Sequence, residues 1–308
     1  MAELEYFVVD VFTETPLTGN PLAVVMNTRG LAAERMQAIA REFNLSETTF
    51  VERRAAEVER AEGVRVRIFT PQEELNFAGH PTLGTASVLR LHAPETVEDS
   101  TVKLALNAGT VPVRYGGEGP GQELFGEMTQ REPEFGAELD AGEVARLTGL
   151  SVEDLDPALP PQIVSTGTAF AIVALRGLEA LGRLRVNQEE ATPWLRERGG
   201  RWFYVLSPSL VQDQGRAQRR ARMQFYGGED PATGSAAGCA IAYLVARGAA
   251  ASGERVHVRQ GVEMGRPSDL FLSAKAGTKT GATIDLARVT DVRVAGSTVP
   301  VATGRIFL

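Results

Sequence analysis

Gly79-His80-Pro81-Thr82-Leu83-Gly84-Thr85-Ala86 returns later in the chain as Glu229-Asp230-Pro231-Ala232-Thr233-Gly234-Ser235-Ala236, at an offset of 150 (230 − 80). Both copies run His or Asp, Pro, two variable residues, Gly, Thr or Ser, then Ala. Proline suits the first turn of a helix, where its missing N–H is no loss. Each copy is therefore expected to open a helix, with His80 or Asp230 as its N-cap. Thr82 to Leu89 carries no charge, nor does Ala232 to Ala246, so both helices should be buried nearly all round. A buried helix that begins in a pocket offers unpaired N–H groups and the positive end of its dipole, which suits a carboxylate or a phosphate. The amides at Gly79, His80, Gly234 and Ser235 are the expected anion binders.

The duplication extends beyond this stretch. Thr166-Gly167-Thr168-Ala169-Phe170-Ala171-Ile172-Val173 echoes Thr18-Gly19-Asn20-Pro21-Leu22-Ala23-Val24-Val25 at an offset of 148 (166 − 18). Two matches at nearly one offset argue for an internal repeat, and 308 residues leave room for two domains. Strand patterns precede and follow each apolar helix: Glu5 to Phe12, Leu22 to Met26 and Val64 to Phe69 in the first half, Arg201 to Leu206, Arg222 to Tyr226 and Val256 to Arg259 in the second. Thr101 to Leu106 and Thr110 to Tyr115 read as a hairpin, and Leu31 to Phe43 as an amphipathic helix with Asn44 at its C-cap. The fold class expected is α+β, with two pseudo-symmetric domains, each a rolled, barrel-like mixed sheet around a central apolar helix. The glycine-rich residues 116–121 are placed as the linker, so that 1–116 form the N-terminal half and 122–296 the C-terminal half. The last strand, 297–308, is expected to return to the first half.

Composition narrows the function. The net charge of −7 gives no general attraction to nucleic acid or to an anionic membrane. The basic run Arg216, Arg219, Arg220, Arg222 is most simply a solvated edge. No uncharged run reaches the ~20 apolar residues of a membrane span. The acidic opening Met1-Ala2-Glu3-Leu4-Glu5 lacks the regions of a secretory signal, so a cytoplasmic location is expected. The single cysteine, Cys239, excludes an internal disulfide and a cysteine-based metal cluster, and His80, His92 and His257 show no ligand spacing, so no metal is expected.

The chemistry-bearing candidates are few. Glu47 has no acidic counterpart near the matching place of the second half, taken as Gly199-Gly200-Arg201, and an asymmetric acid in a duplicated scaffold suits a step that differs between its two sides. Ser46, Thr48 and Thr49 could hold its carboxylate. The plainer alternative is a solvated glutamate at a strand end. His80 titrates near neutrality, and its plainer role, like that of Asp230, is helix capping. Together Glu47, His80 and Asp230 supply what removal and return of a proton at carbon requires. Ser235 and Gly234 add a hydroxyl and an N–H for the substrate anion. A hydrolase using Ser235 is the rival, weakened by the lack of a Gly-x-Ser-x-Gly elbow. Cys239 reads as a core residue.

Over nearly its whole length the chain resembles the PhzF-like family of phenazine-biosynthesis isomerases, which share the diaminopimelate-epimerase fold. The resemblance is carried by Val9-Asp10-Val11-Phe12, Gly19-Asn20-Pro21, Leu45-Ser46-Glu47-Thr48, Arg67-Ile68-Phe69-Thr70-Pro71, Gly79-His80-Pro81-Thr82, the Asp230 block, and Gln260-Gly261 to Gly265-Arg266-Pro267-Ser268. It implies a homodimeric, cofactor-independent isomerase that moves a proton between carbons of a small carboxylate-bearing substrate, trans-2,3-dihydro-3-hydroxyanthranilate or a related compound. It makes Glu47 the general acid/base, its pKa raised by burial, with His80, Asp230 and Ser235 flanking the substrate and Asn20, Ser46, Gly79 and Gly234 among the binding residues. Cysteine-pair racemisation is excluded, since one cysteine cannot form the pair. The alternative is a small-molecule binding or regulatory protein on the same scaffold without turnover.

Overall fold

The computed structural model describes residues 3–116, 124–209, 218–225, 228–277 and 288–308. The chain divides into two compact units, one ending at Thr129 and completed by Ala295–Leu308, the other running from Gln130 to Val294. Of the expected linker only Gly116 lies within the described residues, and Arg216 of the basic run also falls outside them.

In the first unit the chain forms β1 (Glu3–Val11), β2 (Asn20–Val25), α1 (Ala33–Phe43), β3 (Glu47–Glu52), α2 (Ala56–Glu62), β4 (Val64–Phe69), β5 (Glu74–Leu75), α3 (Gly79–His92), β6 (Val97–Glu98), β7 (Thr101–Leu106), β8 (Gly109–Tyr115) and β9 (Phe125–Thr129). The pairings run β1–β2 antiparallel, β2–β3 parallel, β3–β4 antiparallel, β4–β7 parallel, then β7–β8 and β8–β9 antiparallel. The end of the chain closes the ring by pairing with both β9 and β1, Glu3 lying opposite Phe307 and Val11 opposite Thr298. Eight strands thus form a closed barrel, which leaves no free edge among them. α3 fills it. Every residue from Gly79 to Leu89 is buried, against β1, β2, β3, β7, β8 and β9. That helix has no polar face because no side of it meets water. α1 lies outside, burying Met36, Ile39 and Ala40 on Val25, Phe50 and Phe69, and it ends as expected at Asn44 in the left-handed conformation.

The second unit contains β10 (Glu134–Glu138), α4 (Ala141–Thr148), β11 (Gln162–Ser165), β12 (Ala169–Ala174), α5 (Leu178–Arg183), α6 (Gln188–Glu197), β13 (Trp202–Pro208), β14 (Gln218–Arg222), β15 (Gln224–Phe225), β16 (Gly228–Glu229), α7 (Gly234–Ala246), β17 (Val256–Gln260) and β18 (Ser268–Ala276). The last strand, β19 (Val289–Phe307), starts in this unit. From β11 to β18 the pairings are antiparallel, parallel, antiparallel, parallel, antiparallel, the same series as β1, β2, β3, β4, β7 and β8. All of α7 is buried, packed on β11, β12 and β18. The fold is therefore the α+β architecture of two rolled mixed sheets, each around one apolar helix.

The repeat is most plainly seen in one ion pair. Arg67 of β4 grips Glu74 with both arms of its guanidinium, at 2.8 and 2.6 Å, and Arg222 of β14 grips Glu229 at the same two distances. Both pairs stand at an offset of 155 (222 − 67 and 229 − 74), and so do the helix starts Gly79 and Gly234 (234 − 79). Within the expected strand Arg222 to Tyr226, β14 ends at Arg222 and Gln224–Phe225 form the separate β15, which pairs with β16 and so places Glu229; Tyr226 lies outside the described residues.

Two further expectations are corrected. Neither His80 nor Asp230 caps its helix; the caps are Ala78 and Thr233. His80 lies inside α3 as its second residue, whereas Asp230 lies four residues (234 − 230) before the start of α7, although each precedes a proline. The counterpart of Glu47 is also not Gly199-Gly200-Arg201. Leu22 pairs with Glu47, and Phe170, the match of Leu22 (170 − 148 = 22), pairs with Trp202. A large aromatic residue therefore holds the place of the acid.

Candidate active site

In the first unit, three elements bring Asn20, Glu47 and His80 together. Asn20 opens β2, held opposite Val11 in the β1 ladder. The preceding Gly19 adopts φ +69°, and a Cβ there would stand 2.5 Å from both the Val11 carbonyl and the Thr13 methyl, so glycine alone lets the turn approach this closely. Buried Asp10 steadies the same turn by accepting the Leu17 N–H at 2.6 Å. Glu47 opens β3, three residues after the left-handed Asn44. His80 sits on the first turn of α3, which the Thr49–Thr85 hydroxyl contact at 2.8 Å ties to β3.

Asn20 Nδ2 lies 3.1 Å from His80 Nδ1 at hydrogen-bond geometry, and His80 Nε2 lies 3.3 Å from Glu47 Oε2, a close contact whose angles fall outside those of a hydrogen bond. The Glu47 side chain retains 16% of its exposure and His80 only 4%. Burial pushes the His80 imidazole down from its ordinary 6.5 to about 3, so the ring is neutral near neutrality. The carboxylate therefore faces a neutral, polarisable donor/acceptor rather than a cation. Gly79 and His80 are the first residues of α3, and their N–H groups have no carbonyl four residues back within the helix. Ser46, half-buried, precedes Glu47 directly.

The second unit builds a different arrangement. The Thr233 hydroxyl donates to Asp230 Oδ2 at 2.7 Å. Gln260, fully buried, donates from Nε2 to the Asp230 carbonyl at 2.8 Å and to Thr233 Oγ1 at 2.9 Å, and its Oε1 accepts the Thr233 N–H and the Tyr204 hydroxyl. Gln260 thus supplies the capping that Asp230 was expected to provide, and the Asp230 carboxylate is held by Thr233. Gly261 backs this turn at φ +76°, where a Cβ would lie 2.6 Å from the Pro231 carbonyl. Gly234 and Ser235 begin α7, and within this unit's described residues no histidine or carboxylate bonds the Ser235 hydroxyl, so nothing there prepares it as a nucleophile. Cys239 is buried beside Thr166, and burial raises its thiol to about 11, which keeps it protonated and unreactive.

The sequence marks Glu47, His80, Asp230 and Ser235 as candidates but shows no role for Tyr204, Thr233 or Gln260 in this arrangement. The nearest signal in the sequence is Gln260-Gly261, a polar residue and a glycine at the end of the strand Val256–Gln260. No group of three or more metal-binding side chains occurs among the described residues, and no described helix is long and apolar enough to cross a membrane.

The likenesses to known proteins extend from end to end. A family model for phenazine biosynthesis-like proteins, PhzC-PhzF, matches residues 9–304. The trans-2,3-dihydro-3-hydroxyanthranilate isomerase of Pseudomonas fluorescens is 33% identical over 98% of this chain and 99% of its own. A PhzF-family phenazine biosynthesis protein from Bacillus anthracis has the same fold at a TM-score of 0.84 and 27% identity, with 100% of both chains covered. A predicted epimerase from Pseudomonas aeruginosa gives 0.79 and 36%, with 99% of both covered. Since these matches take in both copies of the repeat and the residues around Glu47 and Asp230 alike, the chain belongs to the PhzC-PhzF family and is an isomerase.

Proposed function

We propose that the enzyme moves a proton between carbons of a small carboxylate-bearing compound, trans-2,3-dihydro-3-hydroxyanthranilate or a close relative, without metal or organic cofactor. The observation that carries this reading is the pairing of the Glu47 carboxylate with a buried, neutral imidazole 3.3 Å away. In the reaction, a substrate C–H bond breaks and its proton passes to Glu47. The electron pair moves into the adjoining conjugated system, and Glu47, whose carboxyl proton exchanges with water while held, returns a proton to a different carbon. One carboxylate can serve as base and then as acid because the electron pair freed at the first carbon is delocalised to the second, which then takes the proton back from the carboxyl. His80 steadies Glu47 in its ionised form. In the first unit the amides at Gly79 and His80 are the proposed anion binders, with Ser46 beside Glu47; in the second, Asp230 and the start of α7 at Gly234 and Ser235 are the proposed substrate contacts. In this reading the enzyme is a cytoplasmic homodimer.

The likeness to the Pseudomonas fluorescens isomerase makes its substrate the first to assay. Conversion followed by NMR is expected for the wild type. Glu47→Gln should lower kcat by at least about 10²-fold, the range for removing a general acid/base. A Glu47→Gln enzyme with full turnover would refute the assignment.

A further inference from the structure

Asn20 is fully buried, at the first residue of a strand paired on both sides, with a left-handed glycine before it and a rigid turn behind. Its amide stands against the far nitrogen of the His80 ring from Glu47. A neutral imidazole carries one ring proton, and the nitrogen that accepts a hydrogen bond is the one without it. With the Asn20 NH₂ donating to Nδ1, the proton resides on Nε2, the atom 3.3 Å from Glu47 Oε2. The opposite tautomer would set two lone pairs against each other on the Glu47 side, and would need the Asn20 amide turned over so that Oδ1 accepts from Nδ1–H.

We infer that Asn20 is a positioning residue that fixes His80 as the Nε2–H tautomer, so that the imidazole presents a hydrogen-bond donor to the Glu47 carboxylate throughout turnover. The inference rests on the role of Glu47 proposed above and deepens it. Asn20 then acts through His80, not through the substrate. Its burial fits this: the side chain is closed off in the first unit's core with its NH₂ turned to the ring. Ionised Glu47 thereby keeps a donor during the interval when it has no proton of its own.

The test is two-bond ¹H–¹⁵N correlation spectroscopy on the full-length protein labelled at histidine nitrogens, with His80 assigned by its loss in His80→Gln. The wild type is expected to show the proton on Nε2. Asn20→Asp, which puts an acceptor where the donor was, is expected to bring a proton onto Nδ1. Asn20→Leu, which removes the donor at similar volume, is expected to give a mixture of tautomers and a kcat lower by about 10²-fold, with KM little changed. A wild-type ring protonated at Nδ1 overturns the inference. So does an Asn20→Leu enzyme whose tautomer is scrambled while kcat is unaltered. The Glu47 assignment fails through a different sample, an active Glu47→Gln, so the two failures are told apart.

Discussion

At the residue scale, His80 shows how a side chain marked by its sequence neighbours can hold a different place in the fold from the one they suggest. Its type and its place before Pro81 marked it in the sequence, but as a helix cap with a proton near neutrality. In the fold it is inside α3, buried and neutral, because the barrel wall closes over the helix start. That burial has a measurable consequence. The unfolded chain takes up a proton at His80 near pH 6.5, the folded protein only near 3, so stability is fully present above pH 6.5 and falls as the pH drops between these values. The slope from this one group approaches about 1.4 kcal/mol per pH unit. His80→Gln is therefore expected to lose less stability than the wild type between pH 6.5 and 4, measured by urea unfolding at each pH. Equal losses would show that His80 does not carry this linkage. Glu47 was legible as an acid without a counterpart. Its true counterpart, Trp202, was not, because strand register is set by pairing across the sheet and not by distance along the chain.

At the scale of elements, the apolar helices were the most legible part of the chain. Long uncharged stretches can be accommodated only where no face meets water, and α3 and α7 fill that description. Their starts were harder to place. The repeated sequence motif has an offset of 150, yet the helices begin at an offset of 155, because Gln260 holds Asp230 to Thr233 as a turn before α7. A capping partner about 30 residues downstream leaves no local signal. Two substitutions probe it. Gln260→Leu strands the Thr233 N–H and the Asp230 carbonyl, and should cost about 1–3 kcal/mol of stability. Gly261→Ala forces a Cβ to 2.3 Å from the Arg266 carbonyl at φ +76°, and should destabilise by a similar amount, about 1–3 kcal/mol. Thermal unfolding checks both, and a wild-type unfolding temperature in either variant would show that this turn does not need the support assigned to it.

At the scale of the whole molecule, duplication organised both the sequence and the fold. Two short matches foretold a repeated architecture, and the repeated order of parallel and antiparallel pairings is its physical form. The return of the last strand to the first half was expected, but its partner was not: β9 and that strand complete the first barrel from positions more than 160 residues apart (295 − 129 = 166), a nonlocal contact that no local pattern encodes. The Arg67–Glu74 and Arg222–Glu229 pairs were equally hidden, since charged residues on strands look like solvated ones until the turn that returns each glutamate is known. What the repeat does not duplicate is Glu47, and the central claim is that this one acid moves the proton. The most direct measurement is turnover of trans-2,3-dihydro-3-hydroxyanthranilate in D₂O, with deuterium in recovered substrate and product read by mass spectrometry. The wild type is expected to place solvent deuterium on carbon, and Glu47→Gln to place none while still binding 3-hydroxyanthranilate. Deuterium entering at an undiminished rate in Glu47→Gln would contradict the claim.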